Sequence, residues 1–321
     1  MRKKSFLFLI GLLISGACLY WAIRGISIHQ TISAVRQADC RWIALALFFY
    51  YFAYLSRALR WKVLLKPVKT ISTSELFGPL VIGFFANNIL PFRMGELVRA
   101  HLCGRKFNIS RTASIGTIFL ERLYDTLSLL LAFLAVAFIL PFPLYVKRGA
   151  TLMGVACILL VICIILVIKY EMKTHYFLDK LPLPPHLITR AHHLLSNFVH
   201  GVSGMTDISY ITSVLLLSLL VWTIEGTALY LIGRAFPVHY NYPQAFFLMF
   251  ILGLSVLLPQ APGYVGTIEL AGVTALSLLG IDKAYALPLI LTVHSVQFLF
   301  ILLLGIFCLW KEGLTFRQLL H

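Results

Sequence analysis

In this chain of 321 residues, 60% are hydrophobic and 12% charged, about half the charge of a soluble domain. With a mean hydropathy of +0.90, the composition excludes a soluble enzyme, a disordered protein and a disulfide-stapled scaffold. The net charge of +15 would suggest nucleic acid for a soluble chain. In a membrane protein Lys and Arg gather in cytoplasmic loops and face anionic headgroups instead, so no nucleic-acid partner is expected. The six cysteines form no C-x-x-C pair and mostly sit in or beside apolar runs, where cysteine behaves as a small hydrophobe.

Six apolar stretches predict membrane spans at residues 6–23, 42–59, 118–140, 149–168, 211–233 and 284–310. The first follows Met-Arg-Lys-Lys and resembles a signal peptide. Ala17-Cys18-Leu19-Tyr20 offers no convincing small-residue cleavage site, so it is read as a retained span. Two further stretches, 76–91 and 244–259, have 16 residues each, short of the roughly 17–25 needed to cross about 30 Å. Each ends at Pro/Gly and is followed by another, at 95–103 and 266–280. Both are read as re-entrant helical hairpins, a backbone path tolerated only inside protein or along a cavity. With the N-terminus inside, the cytoplasmic segments hold 19 Lys/Arg and the outer loops 7. Counting 76–91 as a full span would place the basic 93–111 segment outside, so the hairpin reading is preferred.

The predicted fold is therefore an all-α polytopic membrane protein, a single integral membrane domain of residues 1–321. Its halves, 1–145 and 146–321, have the same order of span, span, hairpin, span. Pro91 and Pro262 lie 171 positions apart, and the second spans end 174 apart at Leu59 and Gly233. The turns share P-x-x-x-G, as Pro91-Phe-Arg93-Met-Gly95 and Pro262-Gly263-Tyr-Val-Gly266. Three spans per half give the halves opposite orientation, with one hairpin entering from each side. Paired short segments interrupted by Pro and Gly are the best sequence pointer to a transporter's binding site. The plainer alternative is that they terminate helices in a passive scaffold.

The stretches Asn88-Ile-Leu-Pro91-Phe-Arg93-Met-Gly95-Glu96-Leu-Val-Arg99-Ala, Glu121-Arg122-Leu-Tyr-Asp125 and Pro259-Gln-Ala-Pro262-Gly263-Tyr-Val-Gly266-Thr-Ile-Glu269 resemble the flippase-like family. This is the transmembrane region of lysylphosphatidylglycerol synthases and its stand-alone relatives. The resemblance covers about 5–310 and implies lipid translocation. Stand-alone members are associated with phospholipid, polyprenyl-linked sugar and hopanoid pathways. Tyr264 departs from the pattern, standing where the family more usually has glycine. The synthase reaction needs a large soluble domain, and the longest extramembrane segment here, 169–209, has 41 residues, too few for one.

Arg93 lies before a half-helix whose N-terminus suits a phosphate, and it adds a full charge with fork geometry. Asn88, Pro91, Gly95, Glu96 and Arg99 complete the first candidate binding turn. Pro262, Gly263, Gly266 and Glu269 form the second, where backbone N–H groups would serve and Glu269 fits a helix-dipole role. Glu96 fits the same dipole role, with Arg99 three residues on. Glu121, Arg122 and Asp125 form an intramembrane charge cluster in which Arg122 and Asp125, at i,i+3, can pair. Glu225 has no cation within a helical turn on its own span. It is read as a protonated packing residue, as a group coupling transport to protons or, failing that, as a holder of a cationic headgroup such as a lysyl amine. Arg57 and Arg60, at the end of the second span, read as snorkelling side chains. His294 and Gln297 share a face of the last span, where a histidine is usually a satisfied core residue. His186, His192, His193 and His200 belong to an amphipathic segment read as a solvated helix on the headgroups rather than a metal site.

The leading expectation is a translocase for an anionic phospholipid or a polyprenyl-phosphate-linked lipid, its phosphate held between the hairpins. It would lie in the cytoplasmic membrane with both termini inside, without catalytic residues, metal or cofactor. A membrane-embedded transferase is the competing class, but the outer loops lack a D-x-D, D-D or E-x-D pair. A third is a noncatalytic partner of an enzyme of envelope lipid synthesis.

Overall fold

A computed structural model describes residues 2–90, 93–140, 144–180, 184–256 and 261–315, leaving aside the side chains of 2–12, 28 and 177. Every regular element among the described residues is helical. The predicted spans correspond to α1 (Arg2–Ile23), α3 (Cys40–Leu65), α6 (Arg111–Ala137), α7 (Leu144–Lys169), α10 (Ile208–Arg234) and α13 (Lys283–Lys311), with α6 ending three residues before the predicted limit of 140. The short stretches are α4 (Thr73–Ile89) with α5 (Gly95–Phe107), and α11 (Tyr242–Ser255) with α12 (Thr267–Leu278). Pro91 and Pro259 lie outside the described residues.

Several boundaries move, for local reasons. Helix α3 runs past residue 59 because Arg57, Arg60 and Lys62 remain helical. Helix α6 starts earlier than residue 118, where the Ser110 side chain caps the Ala113 N–H. The outer loop 24–41 contains α2 (Ile28–Gln37), capped by Ser27. The segment 169–209 holds two helices, α8 (Glu171–Asp179) and α9 (Pro185–Val202). Helix α9 packs on α6, where the Phe119 and Phe198 ring centroids are 5.9 Å apart, so it is a packed element as well as a surface one.

Helices α3, α7, α10 and α13 are each long and apolar enough to cross a bilayer, and α6 interrupts its apolar run with Glu121, Arg122 and Asp125. Helix α7 buries only Ala150, Cys157 and Ile164, one position per seven. Its remaining surface is apolar all round, as expected of a helix facing lipid.

The most extensive packing joins α3 to α10. On α3, Ala46, Tyr50, Ala53, Arg57, Arg60 and Leu64 are buried at alternating four- and three-residue steps. On α10, Val214, Ser218, Val221, Ala228 and Ile232 follow the same rhythm, with Glu225 at the intervening step. That spacing forms a coiled-coil-like seam in which small residues let backbones approach. The pair is antiparallel, since the Tyr210 hydroxyl donates to the Leu64 carbonyl at 3.2 Å while Arg234 stacks on Trp42 at the other end.

Helices α4 and α5 also run antiparallel, with Gly95 against the Gly83 carbonyl and Asn87. A Cβ on Gly95 would overlap that carbonyl, which explains glycine there. The open ends of this pair lie beside the C-termini of α3 and α13, through Lys69 Nζ to the Phe107 carbonyl at 2.8 Å and Lys106 to Glu312 at 2.7 Å. From there α4 and α5 reach inward to a turn that meets the turn joining α11 and α12. A Cβ on Gly263 would stand 3.6 Å from the Asn88 carbonyl.

Candidate functional site

Where the two turns meet α3, α6, α10 and α13, they enclose a cavity of about 590 Å³. Its wall includes Arg57, Asn88, Arg93, Glu96, Arg122, Asp125, Glu225 and His294, with the rings of Tyr54, Phe84, Trp222 and Phe298. A pocket of this size, mostly apolar with a few convergent polar groups, is the usual form of a small-ligand site.

The charges come from four helices and the first turn. On the α3–α10 seam Arg57 pairs with Glu225 at 2.6 Å, both largely buried. Two readings are corrected here. Arg57 and Arg60 do not snorkel, because the seam turns them inward and leaves Arg60 wholly buried. Glu225 is not a lone carboxylate; its cation arrives from the neighbouring helix, invisible along its own span. One helical turn away Arg60 donates to Asp125 at 2.6 Å and to the Ser218 hydroxyl at 2.9 Å. The Trp222 indole N–H also donates to Asp125, at 2.9 Å.

Glu121, wholly buried, accepts a bidentate pair from Arg99 at 3.0 and 2.7 Å and a further bond from Arg122. Arg122 reaches Asp125 at 3.4 Å, the internal pair that the i,i+3 spacing predicts. Arg99 also lies 3.6 Å over the Trp61 ring, whose indole N–H donates to Thr117 at 3.2 Å. Thus the cluster on α6 is tied to α3 and α5 as well as to itself.

In the first turn Arg93 pairs with Glu96 at 2.9 Å and adopts a left-handed φ of 53°. Its counterpart in the second turn, Tyr264, has φ 62°. Both are two positions beyond the repeated proline, and both occupy a conformation that glycine adopts freely and bulky residues rarely do. A glycine at position 264, which the resemblance leads one to expect, would take this conformation without strain. Gly266, at φ 89°, sits against the Ser15 carbonyl of α1, where a Cβ would overlap it. Glu269 accepts the Gly266 N–H at 2.6 Å, as its dipole role requires, and also meets His294 Nδ1 at 2.6 Å. The other ring nitrogen of His294 faces the Gly263 carbonyl at 2.7 Å.

Of the residues expected to act, Asn88, Arg93, Glu96, Arg122, Asp125 and Glu225 line the cavity. Arg99 and Glu121 form the layer behind it, and Gly95, Pro262, Gly263, Gly266 and Glu269 shape its turns. Pro91 lies outside the described residues. Sequence reading missed Arg57, Arg60, Tyr50, Tyr54 and Trp222 as site residues. The signal was present in the four–three spacing that places both arginines on one stripe with Ala46 and Ala53.

The histidines of the 169–209 segment make separate local contacts. His192 meets His175 and, at 2.7 Å, Asp179, while His200 faces the Pro67 carbonyl at 3.1 Å.

Among the described residues, five guanidinium groups (Arg57, Arg60, Arg93, Arg99, Arg122) face four carboxylates (Glu96, Glu121, Asp125, Glu225) in one linked region. One positive charge is left over. Arg57, Arg93 and Arg122 bring their guanidinium groups to the cavity wall, where an anion can meet this surplus charge.

A family model for the lysylphosphatidylglycerol synthase TM region matches residues 8–305. A UPF0104 membrane protein of Methanothermobacter thermautotrophicus is similar at 25% identity over 316 residues, 94% of this chain and 92% of that protein. A UPF0104 membrane protein of Pyrococcus horikoshii shares 28% over 183 residues, 56% of this chain and 53% of its own. A third, from Methanocaldococcus jannaschii, shares 25% over 228 residues, 69% of this chain and 91% of its own. With the match running across both halves and both turns, this chain belongs to the family of lysylphosphatidylglycerol synthase transmembrane regions.

Proposed function

We propose that this protein translocates an anionic lipid, a phospholipid or a polyprenyl-phosphate-linked lipid, across the cytoplasmic membrane, binding its phosphate in the cavity between the two turns. The observation that carries this reading is the surplus guanidinium charge, with Arg57, Arg93 and Arg122 at the cavity wall. A phosphate there joins carboxylates already in place. It supplies the counter-charge that the surplus guanidinium lacks, and the Arg57–Glu225 pair can stay in place beside it. The apolar remainder of the wall accommodates the glycerol or prenyl end of the lipid.

The architecture belonging to this proposal is six spans with two opposed re-entrant hairpins in an inverted repeat, both termini cytoplasmic. In its support, the helix pairings exchange between halves: α3–α4 with α10–α11, α5–α6 with α12–α13, α4–α13 with α11–α6, and α2–α13 with α9–α6. The self-paired α3–α10 seam sits between them, antiparallel as two inverted elements must be. No catalytic step is assigned. An enzyme of envelope lipid synthesis that supplies the lipid is a fitting partner.

The test is transfer of fluorescent phosphatidylglycerol between leaflets of liposomes containing only this protein, followed by chemical quenching of the outer leaflet. Transfer above protein-free liposomes, lost in Arg57→Ala and Arg93→Ala, is expected. Retention of part of it in Arg93→Lys, which keeps charge but loses the fork, would support phosphate contact. No transfer by wild type would reject translocation in favour of a partner or transferase role. Cysteines in the first turn should be labelled from the cytoplasmic side and those in the second from outside. Labelling of both from one face would sink the inverted repeat.

A further inference from the structure

Resting on the translocation reading, we propose that the hydrogen-bonded pair His294–Glu269, and not Glu225, is where the protein takes up and releases the proton that accompanies lipid movement. The Gly263 carbonyl can only accept, so His294 Nε2, 2.7 Å away, carries a hydrogen. Nδ1 then faces Glu269 Oε1 at 2.6 Å, and that contact needs a second proton between two atoms that would otherwise present lone pairs to each other. The pair is thus an imidazolium with a carboxylate or an imidazole with a carboxylic acid, neutral in both forms. Removing the shared proton leaves one negative charge and two acceptors in repulsive contact, and the pair must part.

Parting has a defined mechanical consequence. Glu269 Oε2 holds the Gly266 N–H and His294 holds the Gly263 carbonyl. Together they pin both ends of a turn whose residues Gly263, Tyr264 and Gly266 are all in left-handed conformations. The turn stands against Asn88 of the opposing turn, so releasing it loosens the contact between the two. A proton that opens or closes this contact is coupled to whatever lies in the cavity.

The other titratable groups at the cavity are unsuited to the role. Glu225, Asp125 and Glu96 are paired with Arg57, Arg60 and Arg93, and arginine keeps its proton throughout the accessible range. Arg122 likewise holds its charge, paired to Glu121 and Asp125. The phenols of Tyr50, Tyr54 and Tyr264 ordinarily titrate near pH 10. Helix α11 contributes only Gly253, Leu254 and Val256 to the wall. Helix α1 brings the Ser15 hydroxyl to the turn at Ala261, and His29 and Arg36 of α2 are not part of the lining. Histidine is the side chain whose ordinary range spans physiological pH.

The experiment uses the full chain in phosphatidylethanolamine–phosphatidylglycerol liposomes, with fluorescent phosphatidylglycerol as probe and symmetric buffers at pH 6 and pH 8. Wild type should show a transfer rate that changes by up to about tenfold per pH unit, as a one-proton step allows. Glu269→Gln preserves an acceptor for Gly266 and a donor for His294 but removes the exchangeable proton. It should bring the two rates within about twofold of each other, whatever their absolute size, and His294→Gln should do the same. In detergent, binding of dioctanoyl phosphatidylglycerol should change the wild-type proton count by about one per lipid, read with a pH dye, and leave the count of both variants unchanged.

The proposal is overturned if both variants keep the wild-type pH profile and proton count, or if Glu225→Gln alone removes them. Wild-type transfer without pH dependence overturns the coupling and leaves translocation standing. Absence of wild-type transfer at either pH overturns both. If neither variant folds, the imidazole nitrogen resonances of His294 in wild type decide. They should shift when dioctanoyl phosphatidylglycerol is added, and constancy would overturn the proposal.

Discussion

The two turns at the cavity share a sequence pattern and a left-handed residue but differ in chemistry. Each follows a repeated proline with a left-handed residue two positions on and a tightly packed glycine two positions after that. In the first, the left-handed residue is Arg93, and its helix leads into Arg99 and the carboxylates of α6. In the second it is Tyr264, and the ionisable pair beside it is Glu269 with His294. One turn supplies permanent charge to the cavity and the other supplies a proton that can leave. The lesson is that a duplicated motif can hold a fixed electrostatic half and a titratable half against the same ligand. The symmetry is also broken at the rim. Helix α1 packs on α12 and reaches the second turn through Ser15, whereas α7 packs on α6, α8 and α9.

The sharpest way to break the comparison is to remove one carboxylate from each side. Glu121→Gln leaves the buried Arg60 and Arg99, and the half-buried Arg122, short of a counter-charge and should cost about 3–5 kcal/mol. Glu269→Gln keeps both hydrogen bonds and should cost about 1 kcal/mol or less. Thermal unfolding in detergent measures both, and equal losses would mean that the two sides do not differ in kind. Next in size are the glycines. Gly95→Ala meets the Gly83 carbonyl and should lose about 1–3 kcal/mol by overpacking. Gly266→Ala meets the Ser15 carbonyl and adds left-handed strain, so its melting temperature should fall further than that of Gly95→Ala.

The left-handed residues give a smaller, cleaner effect. Tyr264→Gly and Tyr264→Ala both remove the ring, but only alanine retains the Cβ that this conformation opposes. Glycine should be the more stable by about 1 kcal/mol, and the same difference is expected between Arg93→Gly and Arg93→Ala. If the difference appears at one turn only, the shared left-handed conformation is not a property of both in solution. The smallest effect lies at the membrane edge, where the Ser72 hydroxyl and N–H bind Glu75 in the capping box of α4 and hold its carboxyl below the usual range. A carboxyl lowered on folding stabilises above its unfolded value near 4.3 and loses that contribution as pH falls through the folded one. Acid should therefore fray the start of α4 in hydrogen exchange, and Glu75→Gln should fray it at neutral pH. The start of α11 has a Gln244 capping box and should be insensitive to acid.

Much of the scaffold was legible in residue order. Apolar length marked α3, α7, α10 and α13, because transfer into lipid depends on composition along one helix. The P-x-x-x-G pair marked both turns, since steric limits at Gly95 and Gly266 are written into which residue is tolerated. The partners of charges were not legible. Glu225 is bare on α10 and becomes half of an ion pair only when the α3–α10 seam brings Arg57 within 2.6 Å. Arg60 reads as a snorkelling end residue until that seam turns it to Asp125. Glu269 reads as a dipole partner, His294 as a core histidine, and 25 residues separate two atoms that share one proton. Hydrophobic length is local, and the sequence alone determines it. Charge pairing depends on distance across helices, and only the tertiary structure decides it.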